Sequence, residues 1–142
     1  MKKQLFLLAL FVSTVFAYKD IDADELSMFA SSDAIIVDVR TPAEWKETGV
    51  LANAHLITYF DEKANPLKDD FMSKLNALTA KDKTKQVVLV CRTGLRSKFV
   101  AAVLDREGYK AVYNYKDGMV NWLSEKRAVT KLGNNKVVAF RP

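Results

Sequence analysis

Two runs of mostly β-branched apolar residues, Ile35-Ile36-Val37-Asp38-Val39 and Val87-Val88-Leu89-Val90, constrain this chain more than any other feature. A strand with one wet face alternates apolar and polar residues. These runs are too apolar for that, so both of their faces must be covered by other elements. Each run is followed by a helix-starting pattern. Short apolar runs alternating with helical patterns predict an α/β domain: three layers, with a mainly parallel sheet of about five strands and helices on both faces.

The remaining elements follow from local signals. Strands are expected at residues 18–21, 34–39, 54–57, 87–90 and 111–114. Asp22-Ala23-Asp24-Glu25 reads as a capping box opening a helix through residue 29, and Thr41-Pro42-Ala43-Glu44 repeats that chemistry for a short helix ending near Gly49. Residues 68–78 place Phe71, Leu75 and Leu78 on one helical face. Further helices are expected at 97–107, ended by Gly108, and at 118–124, where Trp122 is read as a core anchor; Trp45 is also assigned to the core. Glu44 is read as a helix cap. His55, the single histidine, has no cysteine or carboxylate spaced for metal binding and is read as a packed loop residue.

Cys91 is the only cysteine, so it cannot form an internal disulfide. It stands directly between the 87–90 run and a helix. In an open α/β sheet such a strand-to-helix loop lies at the carboxyl edge of the strands, where ligands bind. The thiol is therefore expected as an exposed nucleophile. A helix N-terminus ahead of it, and Arg92 and Arg96 nearby in sequence, favour thiolate over thiol.

Three ordered segments resemble the rhodanese-like sulfurtransferase family. The first is Cys91-Arg92-Thr93-Gly94-Leu95-Arg96, whose length matches the family's active-site loop. The second is Asp38-Val39-Arg40 leading to Glu44-Trp45, similar to the family's Asp-Val-Arg strand end and its Glu-aromatic pair. The third runs from Gly108-Tyr109 into Asp117-Gly118-Met119. Two departures are visible. The family's Gly-His-Ile-x-Gly-Ala is replaced by Gly49-Val50-Leu51-Ala52-Asn53-Ala54, and the Gly-Gly before the last helix by Asp117-Gly118. Neither touches the cysteine loop.

The resemblance implies a sulfurtransferase that moves a sulfane sulfur from thiosulfate or a related anionic donor, through a Cys91 persulfide, to cyanide or a thiol, including a protein thiol. Cys91 is then the catalytic residue, and Arg92, Thr93, Gly94, Leu95, Arg96 and Ser97 form the substrate-binding loop. Inward backbone N–H groups of residues 92–97 would stabilise the terminal sulfur anion. Arg92 and Arg96 would orient the donor. Gly94 allows positive φ, and Ser97 would cap the next helix and donate to the anion. Asp38 and Arg40 are read as a structural ion pair before a substrate support. No cofactor and no metal is implied.

The nearest enzymatic rival is a cysteine phosphatase, whose loop places arginine six positions after cysteine. Here Ser97 holds that position and Arg96 comes one too early. The other rival is a non-catalytic interaction module of the same fold; cysteine flanked by arginines argues against it.

The termini carry separate messages. Met1-Lys2-Lys3, the apolar residues 5–12 and Val15-Phe16-Ala17 read as a signal peptide spanning residues 1–17, with cleavage after Ala17 and a periplasmic product that keeps no stable membrane association. An uncleaved anchor is the alternative. Residues 18–125 suit one rhodanese-like domain, and residues 126–142 form an extension in which a hairpin around Gly133-Asn134-Asn135 is expected. The net charge of +5 falls by two when Lys2 and Lys3 leave. That is an ordinary surface, and Lys81, Lys83 and Lys85 read as a solvated loop rather than a nucleic-acid patch.

Overall fold

A computed structural model describes residues 16–133. In chain order the elements are β1 (Lys19–Ile21), α1 (Ala23–Ala30), β2 (Ile35–Asp38), α2 (Pro42–Thr48), β3 (His55–Leu56), α3 (Lys68–Thr79), β4 (Gln86–Val90), α4 (Leu95–Arg106), β5 (Ala111–Tyr115) and α5 (Gly118–Ser124). The five strands form one sheet in the order β1-β5-β4-β2-β3, and every pairing is parallel. This is the expected α/β architecture.

Both expected capping boxes form. The Asp22 and Glu25 side chains exchange bonds with each other's backbone N–H, both at 2.9 Å. At α2 the Glu44 amide donates to Thr41 Oγ1 and the Thr41 amide to Glu44 Oε2, with Pro42 in the first turn. These bonds satisfy amides that a helix start leaves unpaired.

Strand parity decides which helices cover which residues. On β4, Val87 and Leu89 face the layer containing α3 and α4, together with Phe71, Leu75, Val100 and Leu104; Val88 and Val90 face the opposite layer with Leu26, Met119 and Trp122. Alternate residues of one apolar run thus feed two cores, which is why the run does not alternate in polarity. Each fully buried Val or Leu contributes about 1.5–3 kcal/mol relative to exposure. A smaller third cluster packs Trp45 against Val50 and Leu56. Trp45 and Trp122 are both buried, as expected. His55 belongs to β3, in register with Val37, inside the strand expected at 54–57.

Strand order creates the crevice. From β2 the chain goes outward to β3, and from β4 outward to β5 on the other side, so the loops after β2 and β4 diverge at their carboxyl ends. A gap at such a reversal point is where an open α/β sheet accepts ligands.

The structure differs from expectation at α4. It begins at Leu95, not Ser97, and its cap is Gly94 in a left-handed conformation with no side-chain cap bond. Ser97 is therefore not the cap. In the extension, Thr130 exchanges two backbone bonds with Val50, 3.0 and 2.7 Å long, and Trp122 Nε1 donates to the Ala128 carbonyl at 3.0 Å. The turn and second strand of the expected hairpin, and most of the expected signal peptide, lie outside the described residues.

Candidate active site in the loop after β4

Cys91 continues the parity of Val87 and Leu89, so its side chain points toward the α4 layer beneath the start of that helix. It is fully buried, at 0% exposure, which overturns the expectation of an exposed thiol. The reason is geometric: the loop returns over the sulfur to start α4 two residues early. The Gly94 N–H donates to Cys91 Sγ at 3.1 Å, and Ser97 Oγ lies 3.2 Å from it.

The loop is clamped from the opposite face of the sheet. The amides of Met119 and Val120, in the first turn of α5, donate to the carbonyls of Cys91 and Arg92 at 2.9 and 3.0 Å. In a trans peptide the N–H points opposite to the C=O, so this clamp turns the Arg92 and Thr93 amides away from α5 and toward the sulfur's side. Those two amides, and those of Leu95 and Arg96, donate to no protein group among the described residues. Successive unpaired N–H groups of this kind form an anion-binding concavity.

Two glycines allow the close approach. Gly94 has φ of 91°, and a Cβ there would fall far inside contact with the Lys116 carbonyl oxygen. Gly118 has φ of 67°, and a Cβ there would strike the Arg92 carbonyl. The second glycine of the family's usual pair is thus retained where the backbone needs it.

The two arginines of the loop differ sharply. Arg96 makes a two-pronged ion pair with Glu44 on α2, Nη1 to Oε2 at 2.9 Å and Nη2 to Oε1 at 2.6 Å. Burial pushes the Glu44 carboxyl up, but the Arg96 hydrogen bond, the Thr41 amide and the Arg96 charge outweigh it and bring it down to about 2. Arg96 is shifted up, first by its bond to Glu44, which together with the Glu44 charge outweighs the effect of its own burial. Arg92 is exposed and makes no side-chain hydrogen bond or ion pair among the described residues. Thr93 and Leu95 are exposed on the outer edge of the loop, while Gly94 and Ser97 are buried.

Asp38 and Arg40 do not reach the thiol. Arg40 Nε and Nη2 grip the Asp38 carboxylate at 2.7–3.1 Å, while Nη1 reaches Thr48 Oγ1 at 2.7 Å and Nη2 the Gly49 carbonyl at 2.9 Å. Both residues are buried, and the pair ties the end of β2 to the far end of α2.

A cavity of about 580 Å³ opens beside the loop, lined by Arg92, Arg96, Glu44, Phe60, Asp61 and Glu62 among others. Phe60 packs against Tyr59 and the half-exposed Phe99. Sequence reading did not find Phe60, the Arg96 partner role of Glu44, or the contact of Asn114 with Ser97. Only Asn114 left a local trace, as a polar residue inside β5 at the same parity as buried Val112.

Comparison with known proteins bears on this site. Residues 22–125 match the Rhodanese-like domain family. A protein named Sulfurtransferase from Allochromatium vinosum is 33% identical over 110 residues, covering 72% of this chain and 86% of its own length. Among solved structures, a rhodanese-like domain protein from Staphylococcus aureus is 28% identical with a TM-score of 0.56, over 80% of this chain and 99% of that one. The thiosulfate sulfurtransferase of Pseudomonas aeruginosa shares the fold, with a TM-score of 0.64 at 18% identity, over 80% of this chain and 20% of that one. The matched span runs from the cap of α1 to the end of α5 and takes in both loops of the crevice, so this chain belongs to the rhodanese-like domain family.

Proposed function

We propose that this protein is a sulfurtransferase whose sulfur carrier is Cys91. The observation that carries the reading is the Cys91 Sγ beneath a short loop, with the Gly94 amide already bonded to it at 3.1 Å and the Arg92 and Thr93 amides, which donate to no protein group among the described residues, turned to the same side. A persulfide needs such a cradle because its terminal sulfur is an anion with no counter-ion of its own.

The chemistry balances without a cofactor. The Cys91 thiolate attacks the outer sulfur of thiosulfate; a new S–S bond forms, the old one breaks with its electron pair on the leaving group, and sulfite departs. The enzyme is left as Cys91-S-S⁻. Cyanide or a thiolate then attacks that outer sulfur, forming thiocyanate or an organic persulfide, and the electron pair returns to Cys91. Arg92, with its guanidinium free at the cavity border, meets the sulfonate of the donor. Arg96 borders the same cavity, with its guanidinium held in place by Glu44. Ser97 stands where a phosphatase loop would need arginine, and its buried hydroxyl lies between Cys91 Sγ at 3.2 Å and Asn114 Oδ1 at 2.6 Å.

Because the thiol is closed off, turnover requires the loop over it to open. The acceptor is a small anion or a thiol, including a protein thiol. We also propose export: cleavage after Ala17 delivers a periplasmic protein free of the membrane, which N-terminal sequencing of the fractionated protein tests.

Intact mass spectrometry of the protein after exposure to thiosulfate tests the function. The expected result is a gain of one sulfur that cyanide removes and that Cys91→Ser lacks. A folded Cys91→Ser protein that still loads sulfur would overturn the reading.

A further inference from the structure

Behind Cys91, Ser97 leads into a polar chain through Asn114 to Asp20, two residues to which the reaction above gives no role. Ser97 Oγ lies 2.6 Å from Asn114 Oδ1, and Asn114 Nδ2 donates to Asp20 Oδ1 at 2.9 Å and, more weakly, to the Gly94 carbonyl at 3.4 Å. Ser97 and Asn114 are almost completely buried, whereas Asp20 is exposed on the edge strand β1, directly opposite Asn114 in the register.

Counting hydrogens makes this chain informative. The Asn114 amide can face only one way: its NH₂ must point at the two oxygens that can only accept, those of Asp20 and Gly94, so its Oδ1 must point at Ser97. Ser97 has one hydroxyl hydrogen and two claimants, Asn114 Oδ1 and Cys91 Sγ. When Ser97 gives it to Asn114, its lone pair is free to accept S–H from a neutral Cys91. When Cys91 ionises, Ser97 must turn to the sulfur, and Asn114 Oδ1 is left buried without a donor. An acceptor stranded in that way is unfavourable.

We propose that Asn114, held in orientation by Asp20, is a positioning residue that competes with Cys91 for the Ser97 hydrogen and so restrains ionisation of the resting thiol. The inference rests on the reading of Cys91 as the sulfur carrier and adds a control on its reactivity. A carrier restrained at rest is protected from unwanted oxidation and alkylation, and a cradle that favours the persulfide anion overcomes the restraint once sulfur is bound. Other charges on the elements packed around the loop are Arg92 and Arg96, Glu44 on α2, the Asp38-Arg40 pair at the end of β2, and Lys116 and Asp117 between β5 and α5. None of them is altered by a neutral substitution at Asn114.

The test is the pH profile of Cys91 alkylation by iodoacetamide, which needs no sulfur donor. In Asn114→Leu the profile moves to lower pH, with alkylation about tenfold faster below the wild-type midpoint, the factor expected for one hydrogen bond regained by a charged sulfur. The plateau rate at high pH stays the same, which separates acidity from access. In a Ser97→Ala background the Asn114 substitution moves nothing. Should Asn114→Leu fail to fold, the exposed lock is tested instead: Asp20→Ala lets the amide turn and shifts the profile in the same direction, while Asp20→Asn, which keeps an acceptor but loses the charge, restores wild-type behaviour. An unmoved profile in folded Asn114→Leu or in Asp20→Ala, a shift that persists in the Ser97→Ala background, or equal shifts in Asp20→Ala and Asp20→Asn would overturn the proposal. Failure of wild-type protein to load sulfur from thiosulfate would sink the sulfurtransferase reading instead, and leaves the alkylation result standing on its own.

Discussion

At Cys91 and its immediate neighbours, each side chain has a separable job, and substitutions should divide accordingly. Arg92 is free at the cavity border while Arg96 is engaged by Glu44. Arg92→Ala should therefore raise KM for anionic donors about tenfold with kcat little changed, since an exposed charge-assisted contact sits at the low end of its range. Arg96→Ala should lower kcat and loosen the loop, because it removes a fixed charge and frees Glu44. Steady-state kinetics with thiosulfate and cyanide measures both, and equal KM effects from the two variants would contradict this division. Gly94→Ala should destabilise the fold by at least about 2 kcal/mol, combining a left-handed backbone with a clash against the Lys116 carbonyl. Denaturant melts read that loss directly.

Between elements, the Glu44-Arg96 pair joins α2 to α4 across the crevice, and its pH dependence has a definite sign. The Glu44 carboxyl is brought from 4.5 to about 2 in the folded protein. A folded-state value below the unfolded one means that the stabilisation is complete above the unfolded value and disappears as pH falls toward the folded one. Stability should thus decline between about pH 4.5 and 2, with this pair supplying about 1–2 kcal/mol of the change once solvent screening of the partly exposed side chains is allowed for. Glu44→Gln should flatten that part of the curve by the same amount, measured as urea midpoints against pH. Buried Asp38-Arg40 behaves differently. Asp38→Ala leaves an unpaired guanidinium in the interior and should lower stability by about 3–5 kcal/mol, whereas joint apolar replacement of both residues should cost much less. A double-mutant cycle decides this.

Across the whole molecule, the apolar runs, capping boxes and helical periodicities set the strands and helices through local signals that act within a few residues. For the same reason the need for a glycine at 94 is legible locally, since it depends on backbone freedom at one position, whereas the loop is shorter than the sequence pattern suggests because α4 starts at Leu95. Ser97 was misplaced as a cap because a glycine in a left-handed turn can start a helix without any side-chain bond, and composition alone does not reveal that turn. Strand order belongs to the tertiary structure. It brought Glu44 to Arg96 across 52 positions and Asn114 to Asp20 across 94, and it closed the loop over Cys91 by laying α5 beneath it. A chain-distant contact is fixed by which strands are neighbours and by their register, and neither is encoded in the spacing of the residues that finally meet.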